Sequence, residues 1–175
     1  MKTFSGEHKV KTLLLLRHAK SSWDDPALRD FDRPLAARGK RDAPEIGKAL
    51  ETRGPLPDLI ISSPAARARE TLEAVIKSAH IDIPPRFDES IYGASSAELM
   101  RIIRRLPGES YCALLVGHNP GFEDTVSRLT GAPSRMPTAA LAHLEFQIED
   151  WKDVEDGQGK LIWLLTPKQL GGSDE

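Results

Sequence analysis

Three short runs of consecutive apolar residues, Leu13 to Leu16, Leu59 to Ile61 and Ala113 to Val116, each stop abruptly at polar residues. A strand with one wet face would alternate apolar and polar residues. Unbroken runs of this length fit strands of a parallel sheet covered on both faces. Between them apolar residues recur at helical spacing. Leu35, Gly39, Ala43, Ile46 and Leu50 share one face, and Ala68, Leu72, Val75, Ile76 and Ala79 share another. Ser95 and Glu98 form a capping box ahead of Leu99, Ile102, Ile103 and Leu106, and Phe122, Val126 and Leu129 mark a fourth helix that ends before Gly131. Two later strands, Leu141 to Ile148 and Leu161 to Leu165, are separated by a polar turn through Asp156, Gly157, Gln158 and Gly159. The pattern predicts a three-layer α/β/α sandwich with a mainly parallel sheet and an antiparallel edge.

A chain of 175 residues suits one hydrophobic core, so residues 1–175 are read as a single domain, with a flexible leader over 1–11 and a flexible tail over 171–175. The leader lacks the apolar centre of a signal peptide, and the longest apolar run is too short to span a bilayer, so a cytoplasmic setting is expected. Lys and Arg number 24 against 26 Asp and Glu, and the signs are interspersed. Without a basic face, neither a nucleic acid nor a membrane surface is an expected partner. Any anion site must therefore be assembled locally. Cys112 is the only cysteine and lies in an apolar run, which excludes an intrachain disulfide and points to a buried structural thiol.

In an open parallel sheet, ligands bind beyond the carboxyl ends of the strands. The first run leads into Arg17, His18, Ala19 and Lys20, the second into Ser62, Ser63, Pro64 and Arg67, and the third into Gly117, His118, Asn119, Pro120 and Gly121. These three sets should meet at one edge. Ser63 as N-cap with Pro64 at the first helical position predicts a helix start beside Arg67, where free N–H groups favour an anion. Two arginines and two histidines suit phosphate. No metal and no cofactor is expected, because the histidines lie far apart in sequence and neither loop brings a carboxylate cluster.

Four segments, in order, resemble the histidine phosphatase superfamily, and its SixA-type phosphohistidine phosphatases in particular. They are Leu-Leu-Leu-Leu-Arg-His-Ala-Lys-Ser-Ser-Trp (13–23), Arg-Pro-Leu with Arg-Gly following (33–39), Ser-Ser-Pro-Ala-Ala-Arg-Ala-Arg-Glu-Thr (62–71) and Val-Gly-His-Asn-Pro (116–120). The resemblance implies that His18 attacks phosphorus in line and carries the phosphoryl group, while Arg17, Arg67 and His118 hold its oxygens. It also implies that Glu89, in Asp88-Glu89-Ser90-Ile91-Tyr92-Gly93, supplies the leaving group's proton, although a phosphoramidate needs less such help. Ala19 stands where the superfamily has glycine, so residue 19 is expected to have an ordinary negative φ.

His18 must be neutral to attack, and the surrounding cations are expected to keep it so, whereas His118 is expected to work as a charged donor. Ser21 is read either as a phosphate ligand or as a turn hydroxyl, and Arg33 either as a substrate contact or as one half of a structural salt bridge. Asp24, Asp25, Asp30 and Asp32 lack metal-ligand spacing and are read as a solvated loop with room for one acid near the site. Trp23 and Trp151 either flank the cleft or bury area. The short separation of Ser62 from Pro84-Pro85 leaves no room for a lid domain, and an open site suits a phosphorylated protein. The reading is a metal-independent phosphatase acting on protein phosphohistidine. The alternatives are a small phosphate-ester phosphatase or mutase, and a phosphate-binding module without catalysis. The oligomeric state is not legible in the sequence.

Overall fold

The computed structural model describes residues 10–172. Six strands form one sheet: β1 (Val10–Arg17), β2 (Leu59–Ser62), β3 (Arg86–Phe87), β4 (Cys112–Gly117), β5 (Leu141–Gln147) and β6 (Lys160–Leu165). Their order is β3-β2-β4-β1-β5-β6. β3, β2, β4 and β1 run parallel, β5 is antiparallel to β1, and β6 is antiparallel to β5. The expected mixed sheet is therefore present, and β1 and β4, which carry the two candidate histidines at their ends, lie at its centre.

Four helices cover the sheet: α1 (Ala37–Arg53), α2 (Ala66–Ser78), α3 (Ser96–Ile103) and α4 (Gly121–Thr130). Alternate residues of β1 separate two cores. Leu13 and Leu15 pack with Leu99, Met100 and Ile103 of α3 and Phe122, Val126 and Leu129 of α4. Leu14 and Leu16 pack with Ala43, Ile46 and Leu50 of α1 and Leu72 and Val75 of α2. Because all four leucines of β1 are fully buried, each side of the sheet takes about 1.5–3 kcal/mol per side chain from the transfer out of water. The capping box forms as expected, with Ser95 accepting from Glu98 N–H and the Glu98 carboxylate accepting from Ser95 N–H.

Three boundaries differ from expectation. β1 begins at Val10, so the part of the leader over 10–11 is strand; Lys11 is fully buried, its Nζ donating to the carbonyls of Gly108 and Ser110. A lysine inside a strand looks like a surface residue until those carbonyls, about a hundred positions away, are known. The tail expectation likewise fails at 171–172, where Gly171 caps the 3₁₀ turn Pro167–Leu170 with φ 88° and Gly172 N–H donates to the Pro167 carbonyl. The remaining leader and tail positions, 1–9 and 173–175, lie outside the described residues. Finally, α2 starts at Ala66 with Ala65 as N-cap and no side-chain cap, two residues later than Ser63 and Pro64 predict.

Candidate active site

The carboxyl ends of β1, β2 and β4 converge as expected. Ladder hydrogen bonds carry the register to the site itself: His18 N–H donates to the Gly117 carbonyl at 3.0 Å, and Ser63 N–H to the Val116 carbonyl at 2.9 Å. Beyond β1 the chain passes through Ala19, whose N–H donates to Thr71 Oγ1 of α2 at 2.9 Å. Thr71 in turn donates to the Arg67 carbonyl, so one hydroxyl joins the nucleophile loop to the helix that carries Arg67. Ala19 is absent from the residues with positive φ, as expected. The loop runs so close to α1 that a Cβ on Gly39 would lie 2.3 Å from the Lys20 carbonyl oxygen.

His18 is buried, and its Nδ1 lies 2.7 Å from the Ala19 carbonyl. A carbonyl can only accept, so the proton is on Nδ1 and the lone pair is on Nε2. Nε2 faces the Nε of Arg67 at 3.3 Å. Burial, opposed by the Ala19 hydrogen bond and helped by His118, Arg67 and Arg17, pushes the His18 pKa down to about 3. The imidazole is thus neutral at physiological pH, and desolvation is the leading cause rather than the surrounding charge.

The His118 ring centre lies 5.1 Å from that of His18. Its Nε2 shares a hydrogen bond with Ser63 Oγ at 2.8 Å, and its Nδ1 is buried without a hydrogen-bond partner among the described residues. Ser63 Oγ also accepts from Ala65 N–H, which leaves its proton free for His118 and explains why the helix start shifts: the expected cap belongs to the site. Burial and then Arg67 push His118 down to about 4. It is therefore neutral at physiological pH, contrary to expectation, and its unpartnered nitrogen is the one available to an oxyanion. Arg17 completes the set, its Nη1 donating to the Met136 carbonyl at 2.8 Å. Asn119 donates to the same carbonyl at 2.9 Å and fixes the loop that Arg17 rests on.

One member of the cluster was not singled out in the sequence. Asp30 opens a 3₁₀ turn, Asp30–Asp32, and reaches Arg67, which donates Nη1 to the Asp30 carbonyl at 2.6 Å and Nη2 to Oδ2 at 3.0 Å. Tyr92 donates its hydroxyl to Oδ2 at 2.8 Å, and Arg33 donates Nη1 to Oδ1 at 2.8 Å. Burial opposes ionisation of Asp30, but Tyr92, Arg67 and Arg33 outweigh it and hold the carboxyl down to about 2. The Tyr92 ring also meets His118 and Phe31 edge-on, closing one wall of the site.

Ser21 and Arg33 belong to the support rather than the floor. Buried Arg33 donates to Ser21 Oγ and, at 3.0 Å, to the Ser22 carbonyl, and its guanidinium carbon lies 3.2 Å from the ring centre of exposed Trp23. Among the described residues no hydrogen bond joins Ser21 or Arg33 to His18, and Arg33 reaches the cluster through Asp30. Glu89 stands in the 3₁₀ turn Glu89–Ile91, exposed, with no hydrogen bond or ion pair from its carboxylate to the described residues. Trp151 is fully buried and donates to the Ser110 carbonyl, so it buries area rather than flanking the site. Burial raises the Cys112 thiol to about 12, as a structural cysteine should show. No group of three or more His, Cys, Asp and Glu side chains among the described residues is arranged to hold a metal ion. No described helix is long and apolar enough to cross a membrane.

The profile of the histidine phosphatase superfamily (branch 1) matches residues 13–114. An uncharacterised chloroplastic protein of Arabidopsis thaliana is 35% identical over 164 residues, 89% of this chain and 75% of that protein. An uncharacterised protein of Mycobacterium tuberculosis is 34% identical over 166 residues, 87% of this chain and all of its own. Among solved structures, a protein of Agrobacterium tumefaciens assigned as the phosphohistidine phosphatase SixA matches with TM-score 0.78 and 35% identity, over 90% of this chain and 98% of that one. A Nakamurella protein with the same assignment matches with TM-score 0.77 and 29% identity, over 90% and 96%.

Proposed function

Since the chain belongs to the histidine phosphatase superfamily, branch 1, in its SixA-type part, we propose that this phosphatase works through a phosphohistidine on His18 and acts on protein phosphohistidine. The observation that carries this reading is the state of His18: neutral, with its lone pair on Nε2, 3.3 Å from an arginine and one ring away from a second histidine. Phosphoryl transfer asks a protein chiefly for position and for neutralisation of charge on the transferred oxygens. Here Nε2 attacks in line, Arg17 and Arg67 donate to the equatorial oxygens, and His118 donates through its unpartnered nitrogen. An incoming phosphate dianion raises the His118 pKa and strengthens that donation. Water then releases the phosphate from His18.

Arg17 and Arg67 supply the positive charge that a metal ion supplies in other phosphatases, so the mechanism is metal-independent. For an ester substrate the leaving oxygen needs a proton, and exposed Glu89, three residues before Tyr92, is the donor we assign. The setting we propose is the cytoplasm, and a single buried cysteine that forms no disulfide is compatible with it.

The test is phosphate release from a histidine-phosphorylated carrier protein by wild type and by His18→Ala, with and without EDTA. Release by wild type alone, unaffected by EDTA, is expected. Activity lost on chelation and restored by a divalent ion would overturn the metal-independent mechanism.

A further inference from the structure

Both carboxylate oxygens of Asp30 accept hydrogen bonds, Oδ2 from Arg67 and Tyr92 and Oδ1 from Arg33. Two of the three donors are guanidinium groups, so the carboxylate carries no proton to give. Its place is as informative as its charge. Arg67 turns its Nε toward His18 and its two terminal nitrogens toward Asp30, so Asp30 lies on the far side of the guanidinium from the nucleophile. The Asp30 side chain is half exposed whereas His18 and Arg67 are buried, which puts the carboxylate on the mouth side. In an in-line displacement the leaving group departs opposite the nucleophile, hence outward through the same mouth.

We propose that Asp30 is a specificity-determining residue, whose carboxylate selects a leaving group that arrives positively charged with its own proton: the ring-protonated imidazole of a phosphohistidine. The proposal rests on the phosphohistidine reading given above. In the transfer, the His18 Nε2 lone pair forms a bond to phosphorus. The bond from phosphorus to the substrate's ring nitrogen breaks, and its electron pair returns to that nitrogen. The proton on the substrate's other ring nitrogen stays there, so a neutral imidazole departs and no proton is transferred. The positive charge moves to His18, where Nδ1–H rests on the Ala19 carbonyl. Two imidazoles thus exchange a phosphoryl group, each with its distal proton on an oxygen: that of Ala19 for the enzyme, that of Asp30 for the substrate. Water then bonds to phosphorus, the Nε2–P bond breaks with its pair returning to Nε2, and dihydrogen phosphate leaves. An alkyl ester differs at the first step, because its oxygen takes the electron pair and requires a proton. Asp30 has none, and the Tyr92 hydroxyl is committed to Asp30, a bond that raises its pKa, so the proton for an ester falls to Glu89.

The experiment compares kcat/KM on N-phosphoimidazole and on phosphoserine for wild type, Asp30→Asn and Asp30→Glu. Loss of a charge-assisted hydrogen bond to the substrate ring should lower phosphoimidazole turnover by Asp30→Asn about tenfold or more, with phosphoserine changed less than about threefold. Asp30→Glu should restore the preference. Wild-type turnover of phosphoimidazole should also fall as pH rises through the substrate ring's own pKa, a readout that needs no variant to fold. Equal losses on both probes in Asp30→Asn would overturn the proposal, since Asp30 would then only position Arg67. Wild type that releases phosphate from neither probe would instead overturn the phosphatase reading beneath it.

Discussion

A histidine whose Nδ1–H is held by the carbonyl of the next residue can offer only Nε2 to an electrophile, and for His18 that restriction comes from one 2.7 Å contact. Its pKa near 3, and that of His118 near 4, have two consequences. In activity, the acid limb of kcat/KM should lie well below the ordinary histidine value of 6.5, so a substrate with no titration of its own should show no fall between about pH 7.5 and 5.5. An inflection near 6.5 would contradict the burial account. In stability, the unfolded chain takes up protons below pH 6.5 that the folded chain refuses until about 4 and 3. These two groups therefore lower stability as pH falls from 6.5, and contribute no slope above it. Urea unfolding at several pH values checks the sign. Arg17, His18, Arg67 and His118 were legible because each sits in an ordered motif at a strand end. Asp30 was not: it is one of four acids in an aperiodic stretch, and only the folded positions of Arg67, Arg33 and Tyr92 distinguish it from Asp24, Asp25 and Asp32.

Elements position these side chains through a few close approaches. α1 lies against the loop after β1 at Gly39, where a methyl group would come 2.3 Å from the Lys20 carbonyl oxygen, and backbone cannot swing aside as a side chain can. Gly39→Ala should destabilise the protein by about 1–3 kcal/mol and lower kcat through the displaced His18 loop. Gly108→Ala is the control, because its added Cβ would meet the Asp150 carboxylate at an ordinary 3.7 Å. Denaturation midpoints and kcat for both variants test the contact, and equal effects would remove Gly39 from the account. Helix faces, the Ser95–Glu98 capping box and the three apolar strands were readable from periodicity, which is a local property. The start of α2 was misread at Ser63 because a hydroxyl that usually caps a helix is engaged by His118, 55 residues away. Lys11 was misread for the same kind of reason, its partners being carbonyls of residues 108 and 110.

At the scale of the molecule, the strand order brings β2, β4 and β1 side by side, so three loops separated by about fifty residues each in sequence share one edge. Alternation of strand and helix foretold that edge, and the antiparallel β5–β6 pair beside it. The walls of the site were beyond reach of pattern, because Tyr92, Phe31 and the Met136 carbonyl arrive on segments without periodicity. The central claim is that His18 carries the phosphoryl group. The most direct measurement is a rapid-quench experiment with a phosphorus-32-labelled histidine-phosphorylated protein, followed by peptide mapping. An acid-labile, alkali-stable label on the peptide containing His18 is predicted for wild type, with turnover by His18→Ala reduced at least ~1,000-fold. Steady turnover by wild type with no label on that peptide, or by His18→Ala at an undiminished rate, would contradict it.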